Sequence, residues 1–263
     1  MKFFFDLKRN ASLLLSVLAL LLFTHAQAWA WNTDQKGRFE AGNKAYRAGD
    51  FKQAIDVYQE LIREKAYSGV LYLNLGNAFY RNQQTGEAIL IYERGLKVEP
   101  RNEDIRYNLN YVRSRLEYSI KDTRNWYVKA LESLMNRFSA HEAILACLFA
   151  YFLIISSWAF VLFFRQGLPW GWIRKFLLIQ FVLTLAVAGI KYVQTHMIRD
   201  AIVIAKQAEV RYGPSSTDQV SFRLGQGLKV YVVDHQEDWS RILLTNGESG
   251  WVKNSLIAEV VQP

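Results

Sequence analysis

The sequence predicts three parts in series: an all-α helical array, a two-helix transmembrane hairpin and a small all-β barrel. Three observations carry this reading. The first half of the chain matches itself at an offset of 34 residues, two charge-poor apolar runs follow, and from about Ile202 the pattern changes to short alternating patches separated by glycine and asparagine.

The 263 residues are 51% hydrophobic, enough for a sizeable core in one or two domains, but the apolar residues are strongly segregated. Residues 1–30 carry Lys2, Lys8 and Arg9, then "ASLLLSVLALLLF", then "AQAWA". That order of charge, apolar run and small residues predicts an export signal cleaved after Ala28 or Ala30. Its apolar run of 13 residues is short for a membrane span, and an uncleaved anchor is the other reading. The formal charge is +8, yet residues 119–206 hold ten basic against four acidic side chains. The excess therefore flanks the apolar runs instead of tracing a phosphate-binding groove, and no nucleic-acid partner is expected. Cys147 is the one cysteine, which excludes an intrachain disulfide and a thiolate metal cluster.

Within residues 36–118 the offset of 34 lays Gly42-Asn43 on Gly76-Asn77, Ala45-Tyr46-Arg47 on Phe79-Tyr80-Arg81, Ala54-Ile55 on Ala88-Ile89 and Tyr58 on Tyr92. A fixed period of this length predicts stacked helix pairs, because each pair leaves an apolar face that needs a neighbour. Tyr72, Leu75, Gly76, Phe79, Ala88, Tyr92 and Pro100 together resemble the tetratricopeptide repeat, with Gly95 and Ala66 as departures from its pattern. A third stretch, "EDIRYNLNYVRSRLEY", keeps the register in part and reads as a third first-helix or a terminal cap. The resemblance implies a concave peptide-binding surface built from Asn43, Tyr46, Arg47, Asn77, Tyr80, Arg81, Tyr111 and Arg115. Its arginines suit an acidic segment or a terminal carboxylate; solvation of an exposed face is the plainer alternative.

Residues 119–142 contain Tyr127, Leu131, Leu134 and Phe138 at helical spacing beside Trp126, which fits an amphipathic helix at a membrane surface or a helical linker with one packed face. Residues 143–164 form 22 uncharged positions, a full crossing of the hydrocarbon core. Residues 176–193 form a poorer second span, with Lys191 expected to snorkel toward the headgroups; a helix lying along the membrane is the alternative. The connecting residues 165–175 hold Arg165, Arg174 and Lys175 and no acid, which assigns them to the cytoplasmic face and both flanking modules to the exported side of the inner membrane.

Residues 202–261 alternate with period two between Gly213-Pro214, Gly225, Asn246-Gly247 and Gly250. Val210-Arg211, Leu224, Gly227, Trp239 and Gly250-Trp251-Val252, in this order, resemble the bacterial SH3-type domain. The resemblance implies binding of peptidoglycan or peptide, or an interaction spacer. Tyr212, Asp238 and Trp239 are the candidate groove residues, and Trp251 is expected in the core. Nothing in the chain spells a catalytic motif: His25, His141, His196 and His235 are scattered, no glycine-rich phosphate cradle follows a strand, and Glu60, Glu93 and Asp104 fall at ordinary helix-surface positions. No enzyme, cofactor or metal is expected.

The whole order of signal, repeats, hairpin and C-terminal barrel resembles the BatE family of the Bacteroides aerotolerance group, encoded with von Willebrand-type membrane proteins and a MoxR-like ATPase. That resemblance implies a membrane-anchored periplasmic scaffold for protein partners, among them such operon-encoded membrane proteins, in a stress or aerotolerance complex. The alternative from the same residues is a cell-wall-binding anchor in which the barrel binds and the repeats act as spacer. Reporter enzymes fused after residue 118 and at the C terminus are expected to be active together on the exported side; activity of both only in the cytosol overturns the sidedness.

Overall fold

The computed structural model describes residues 31–118, 120–163, 170–196 and 199–260. The signal reading over 1–30 and the loop residues 165–169 lie outside the described residues. Eight helices precede seven strands among those described: α1 (Thr33–Arg47), α2 (Phe51–Arg63), α3 (Gly69–Arg81), α4 (Thr85–Val98), α5 (Glu103–Arg113), α6 (Trp126–Met135), α7 (Ala140–Phe163), α8 (Trp170–His196), then β1 (Arg199–Val203), β2 (Gln207–Arg211), β3 (Val220–Gly225), β4 (Lys229–Gln236), β5 (Trp239–Leu243), β6 (Ser249–Lys253) and β7 (Ile257–Glu259).

The helix starts are written locally. Asn32 caps α1 by accepting from the Gln35 amide at 2.8 Å while Gln35 Oε1 accepts from the Asn32 amide at 3.1 Å, a reciprocal capping box. Asp50, Ser68 and Asn102 cap α2, α3 and α5 in the same way through their side-chain oxygens. Connections of a few residues then fold α1 against α2 and α3 against α4, and α5 packs on α4 and α3 as a single closing helix.

The interior repeats as the sequence does. Tyr58, Tyr72 and Tyr92 are among the largest fully buried side chains, with Leu61, Leu71, Leu75 and Ile89 around them. At Gly42 a methyl group would stand 2.5 Å from the Tyr58 ring, and the equivalent addition at Gly76 collides with Tyr92. The glycines are required so that each tyrosine can cross the preceding helix. Gly95, which departs from the repeat pattern, has a reason in the packing: a Cβ there would lie 2.8 Å from Tyr72 Cβ and 2.9 Å from Ile105 Cδ1. α5 stops at Arg113, so Arg115 lies beyond the helix, whereas Arg47 and Arg81 end α1 and α3.

α7 and α8 pack against each other with exposed apolar side chains on their other faces, including Leu148 and Phe149 on α7 and Ile179 and Val182 on α8. Gly171–Val193 is long and apolar enough to cross a membrane, while the apolar stretch Glu142–Ser156 of α7 is shorter. α8 begins at Trp170, ahead of the uncharged run that starts at Phe176. Arg174 and Lys175 propagate a helix well, and Gly171 falls in the first turn, so loss of hydrophobicity does not end the helix. The amphipathic segment before the hairpin is helical over Trp126–Met135, and Trp126, Tyr127, Leu131 and Leu134 are exposed on it.

The strands form one sheet in the order β3-β2-β6-β5-β4-β1-β7, every neighbouring pair antiparallel. All seven contribute to one apolar cluster, from Ala201 and Val203 through Val210, Leu224, Val230, Ile242 and Val252 to Ile257, so the sheet rolls around a shared core. Register shifts at Val210/Arg211 and Val232/Asp234 mark bulges that tighten the bend.

Close approach at Gly76 and open space at Gly37 give opposite expectations. Gly76→Ala should lower stability by about 1–3 kcal/mol through overpacking, whereas Gly37→Ala, with nothing within 4 Å, should raise it by up to ~1 kcal/mol. Thermal denaturation of the two full-length variants in detergent checks the pair.

Candidate functional site

Three surfaces can act in recognition: the face of the helical array that carries the repeated asparagine, tyrosine and arginine residues, the junction between array and sheet, and the outer face of the sheet. On that face of the array, Asn43 Oδ1 accepts from Tyr58 Oη at 2.7 Å and from Asn74 Nδ2 at 2.9 Å. One period later, Asn77 Oδ1 accepts from Tyr92 Oη at 2.6 Å and from Asn108 Nδ2 at 2.8 Å. Burial pushes the Tyr58 hydroxyl up to about 12 and raises that of Tyr92, so both remain protonated donors. The carbonyl oxygens of Asn43 and Asn77, expected as groove ligands, are thus engaged in tying helices together.

The remaining groove candidates form a mixed aromatic and cationic surface. Asn43, Tyr46 and Arg47 line a pocket of about 210 Å³ with Tyr58 and Asn74. Arg81 stacks over the Phe51 ring at 4.8 Å, and Tyr46 meets the same ring edge to face at 5.4 Å. Tyr80 and Tyr111 are in edge contact at 6.1 Å, and Arg115 lies 5.3 Å over Tyr111. Arg47, Arg81 and Arg115 are exposed, so their charges face solvent on this surface.

The junction is a charge cluster that crosses between modules. Glu93 on α4 bonds Arg113 on α5 and lies 3.6 Å from Lys229 Nζ on β4. Lys229 in turn lies 2.8 Å from Asp200 Oδ2 on β1, and Asp200 lies 3.6 Å from Lys97 on α4. Beside it, Arg94 Nη2 donates to the Glu259 carbonyl at 2.8 Å. Burial alone would raise the Glu93 pKa, but Lys229 and Arg113 hold it down at about 2. Burial works against the Lys229 charge too, and Glu93 and Asp200 overcome it and raise its pKa. Glu93 is therefore no ordinary surface carboxylate, contrary to the expectation from its helix position. The one sequence signal was a charge adjoining the buried repeat tyrosine Tyr92, and its partners lie far along the chain.

On the sheet, Tyr212 is 69% exposed and Asp238 is exposed, but Trp239 is only 7% exposed, with Lys253 Nζ at 5.7 Å from its ring. Trp239 opposes Lys253 across β5 and β6, while Tyr212 follows Arg211, whose β6 partner is Trp251. The strand register thus separates Tyr212 from Trp239. Trp251 is half-buried between Arg211 and Arg241 on neighbouring strands, so it presents ring surface that Trp239 does not.

The sequence holds no catalytic motif, and among the described residues no group of three or more His, Cys, Asp or Glu side chains is disposed to hold a metal ion. His25 lies outside the described residues, as do the side chains of His141 and His196.

The junction has a definite pH response. Glu93, with its folded pKa depressed, contributes stability above about pH 4.5 that is lost as pH falls toward 2. Lys229, with its pKa raised, contributes fully below about 10.5 and loses that contribution at higher pH. Glu93→Ala should weaken docking by about 3 kcal/mol by leaving buried cations unpaired. Amide exchange across β1 and α4, followed with pH and in the variant, reads both effects.

No curated protein matches the chain. Residues 205–259, spanning β2 to β7 but not β1, match the family described as bacterial SH3 domain; an SH3-like domain is present there, a non-catalytic interaction module.

Proposed function

We propose that the protein is a membrane-anchored binding protein of the bacterial envelope whose SH3-like domain engages cell wall or peptide, with the helical array as its brace. The single observation carrying this reading is the arrangement at the foot of the hairpin. Arg101, just before α5, pairs with Glu142 at the start of α7, β1 follows closely after α8, and β1 packs on α4. Array and SH3-like domain thus meet at the same end of α7 and α8. With α7 and α8 as spans, both modules stand on one side of the bilayer, and the basic residues Arg165, Arg174 and Lys175 at the opposite end favour the periplasm for that side. Exposed Tyr212 and half-buried Trp251 are the aromatics proposed to meet ligand, and tethering raises the effective concentration of a weakly binding partner.

A second reading is favoured by the arginine and aromatic stacking on the repeat-bearing face of the array. Here the helix pairs are tetratricopeptide units, and Tyr46, Arg47, Tyr80, Arg81, Tyr111 and Arg115 receive an acidic peptide segment or terminal carboxylate, with Asn43 and Asn77 holding the helices in position. The likeness to the BatE family extends this reading to a scaffold in an aerotolerance complex.

Purified sacculi separate the two. The first reading expects the full-length protein in neutral detergent to sediment with sacculi and the Tyr212→Ala/Trp251→Ala variant to lose most of that binding. Retention of the protein by immobilised acidic peptides, weakened about tenfold in the Arg47→Ala/Arg81→Ala/Arg115→Ala variant, with no sedimentation on sacculi, favours the second.

A further inference from the structure

Between the array, α6, the hairpin and the sheet lies a cleft of about 900 Å³. Phe138 and Ser139, just before α7, line it together with Ile190 and Lys191 near the end of α8. With α7 and α8 spanning the membrane, that part of the cleft falls at headgroup depth. Six basic side chains line it, Lys97, Arg106, Arg113, Arg124, Lys191 and Lys229, against the three carboxylates Glu93, Glu132 and Asp200.

Each carboxylate is already engaged. Glu93 and Asp200 belong to the junction cluster, and Glu132 pairs with Arg124 at 2.9 Å. Lys191 is different: it is only 7% exposed, and it makes no hydrogen bond or ion pair among the described residues. Glu142, whose charge it feels, is bonded to Arg101 and accepts from the Ser139 amide at 2.9 Å. A snorkelling lysine would reach water; this one is covered by protein beside the cleft. A buried cation without a counterion is costly, and an anion entering the cleft removes that cost.

The apolar part of the lining points to what carries the anion. Leu131 of α6 lines the cleft beside Phe138, and both are exposed, as are Trp126 and Leu134 on the same helix. These side chains and the exposed apolar side chains of α7 and α8 offer apolar surface for acyl chains. We propose that the cleft binds an anionic phospholipid, its phosphate against Lys191 and its acyl chains along α6 and the hairpin. The site rests on the reading of α7 and α8 as membrane spans. It makes the docking of array on SH3-like domain sensitive to the lipid beneath it.

The test uses the full-length protein in a neutral detergent, titrated with phosphatidylglycerol, phosphatidylcholine, glycerol phosphate or inorganic phosphate, with thermal unfolding and native mass spectrometry as readouts. Phosphatidylglycerol should bind and raise the unfolding temperature. Lys191→Met, an apolar replacement of similar length that removes the unpaired charge, should remain folded and bind about tenfold more weakly. Lys175→Met, at the other end of α8, should bind as the parent does. Equal binding by Lys191→Met, or an equal response to phosphatidylcholine, overturns the proposal. An equal response to either soluble phosphate replaces the lipid by a free anion and overturns it as well. Alkaline carbonate extraction of membranes tests the span reading separately, since release of the chain into the supernatant defeats that reading whatever the lipid result.

Discussion

Strand β1 has to satisfy two cores at once. Ala201 and Val203 point into the sheet's apolar cluster, while Ile202, between them, belongs to the cluster of the helical array together with Val260. A strand alternates its side chains with period two, so one short strand can join two interiors when both faces are covered. β1 lies outside the segment that matches the SH3-type family and follows closely after α8. The hairpin, the array and the SH3-like domain are therefore coupled through one element. Asp200, on the same face as Ile202, brings the charge that Lys97 and Lys229 neutralise.

That coupling sets what the rest can do. The charge cluster is directional and partly buried, so it favours one docking geometry over neighbouring ones, while Ile202 and Val260 supply apolar burial. The Arg101–Glu142 ion pair adds a contact between the array and the start of α7.

Much of the helical part was readable because it is local and periodic. Gly42, Gly76, Tyr58 and Tyr92 announce a close crossing repeated at 34 residues, and the caps Asn32, Asp50, Ser68 and Asn102 sit where helix starts are expected. The same period did not reveal the partners of Asn43 and Asn77. Recurrence on a first helix suggested ligand contact, whereas Tyr58 and Asn74, or Tyr92 and Asn108, occupy their side-chain oxygens. In the sheet, turn residues marked the strands, but bulges at Val210/Arg211 and Val232/Asp234 shift the pairing of β2 with β3 and of β4 with β5, which spacing alone does not reveal.

The amino-acid sequence by itself determined where helices begin, which residues repeat, which stretches are apolar enough to lie in lipid, and where the chain turns to β structure, because these depend on neighbours a few positions apart. Tertiary structure decided that Glu93, Lys229 and Asp200 become one cluster, that β1 serves two cores, and that Lys191 is covered by protein instead of reaching water. Those outcomes depend on burial and on charges brought together from distant parts of the chain, and the energy of a charge is set by its surroundings after folding.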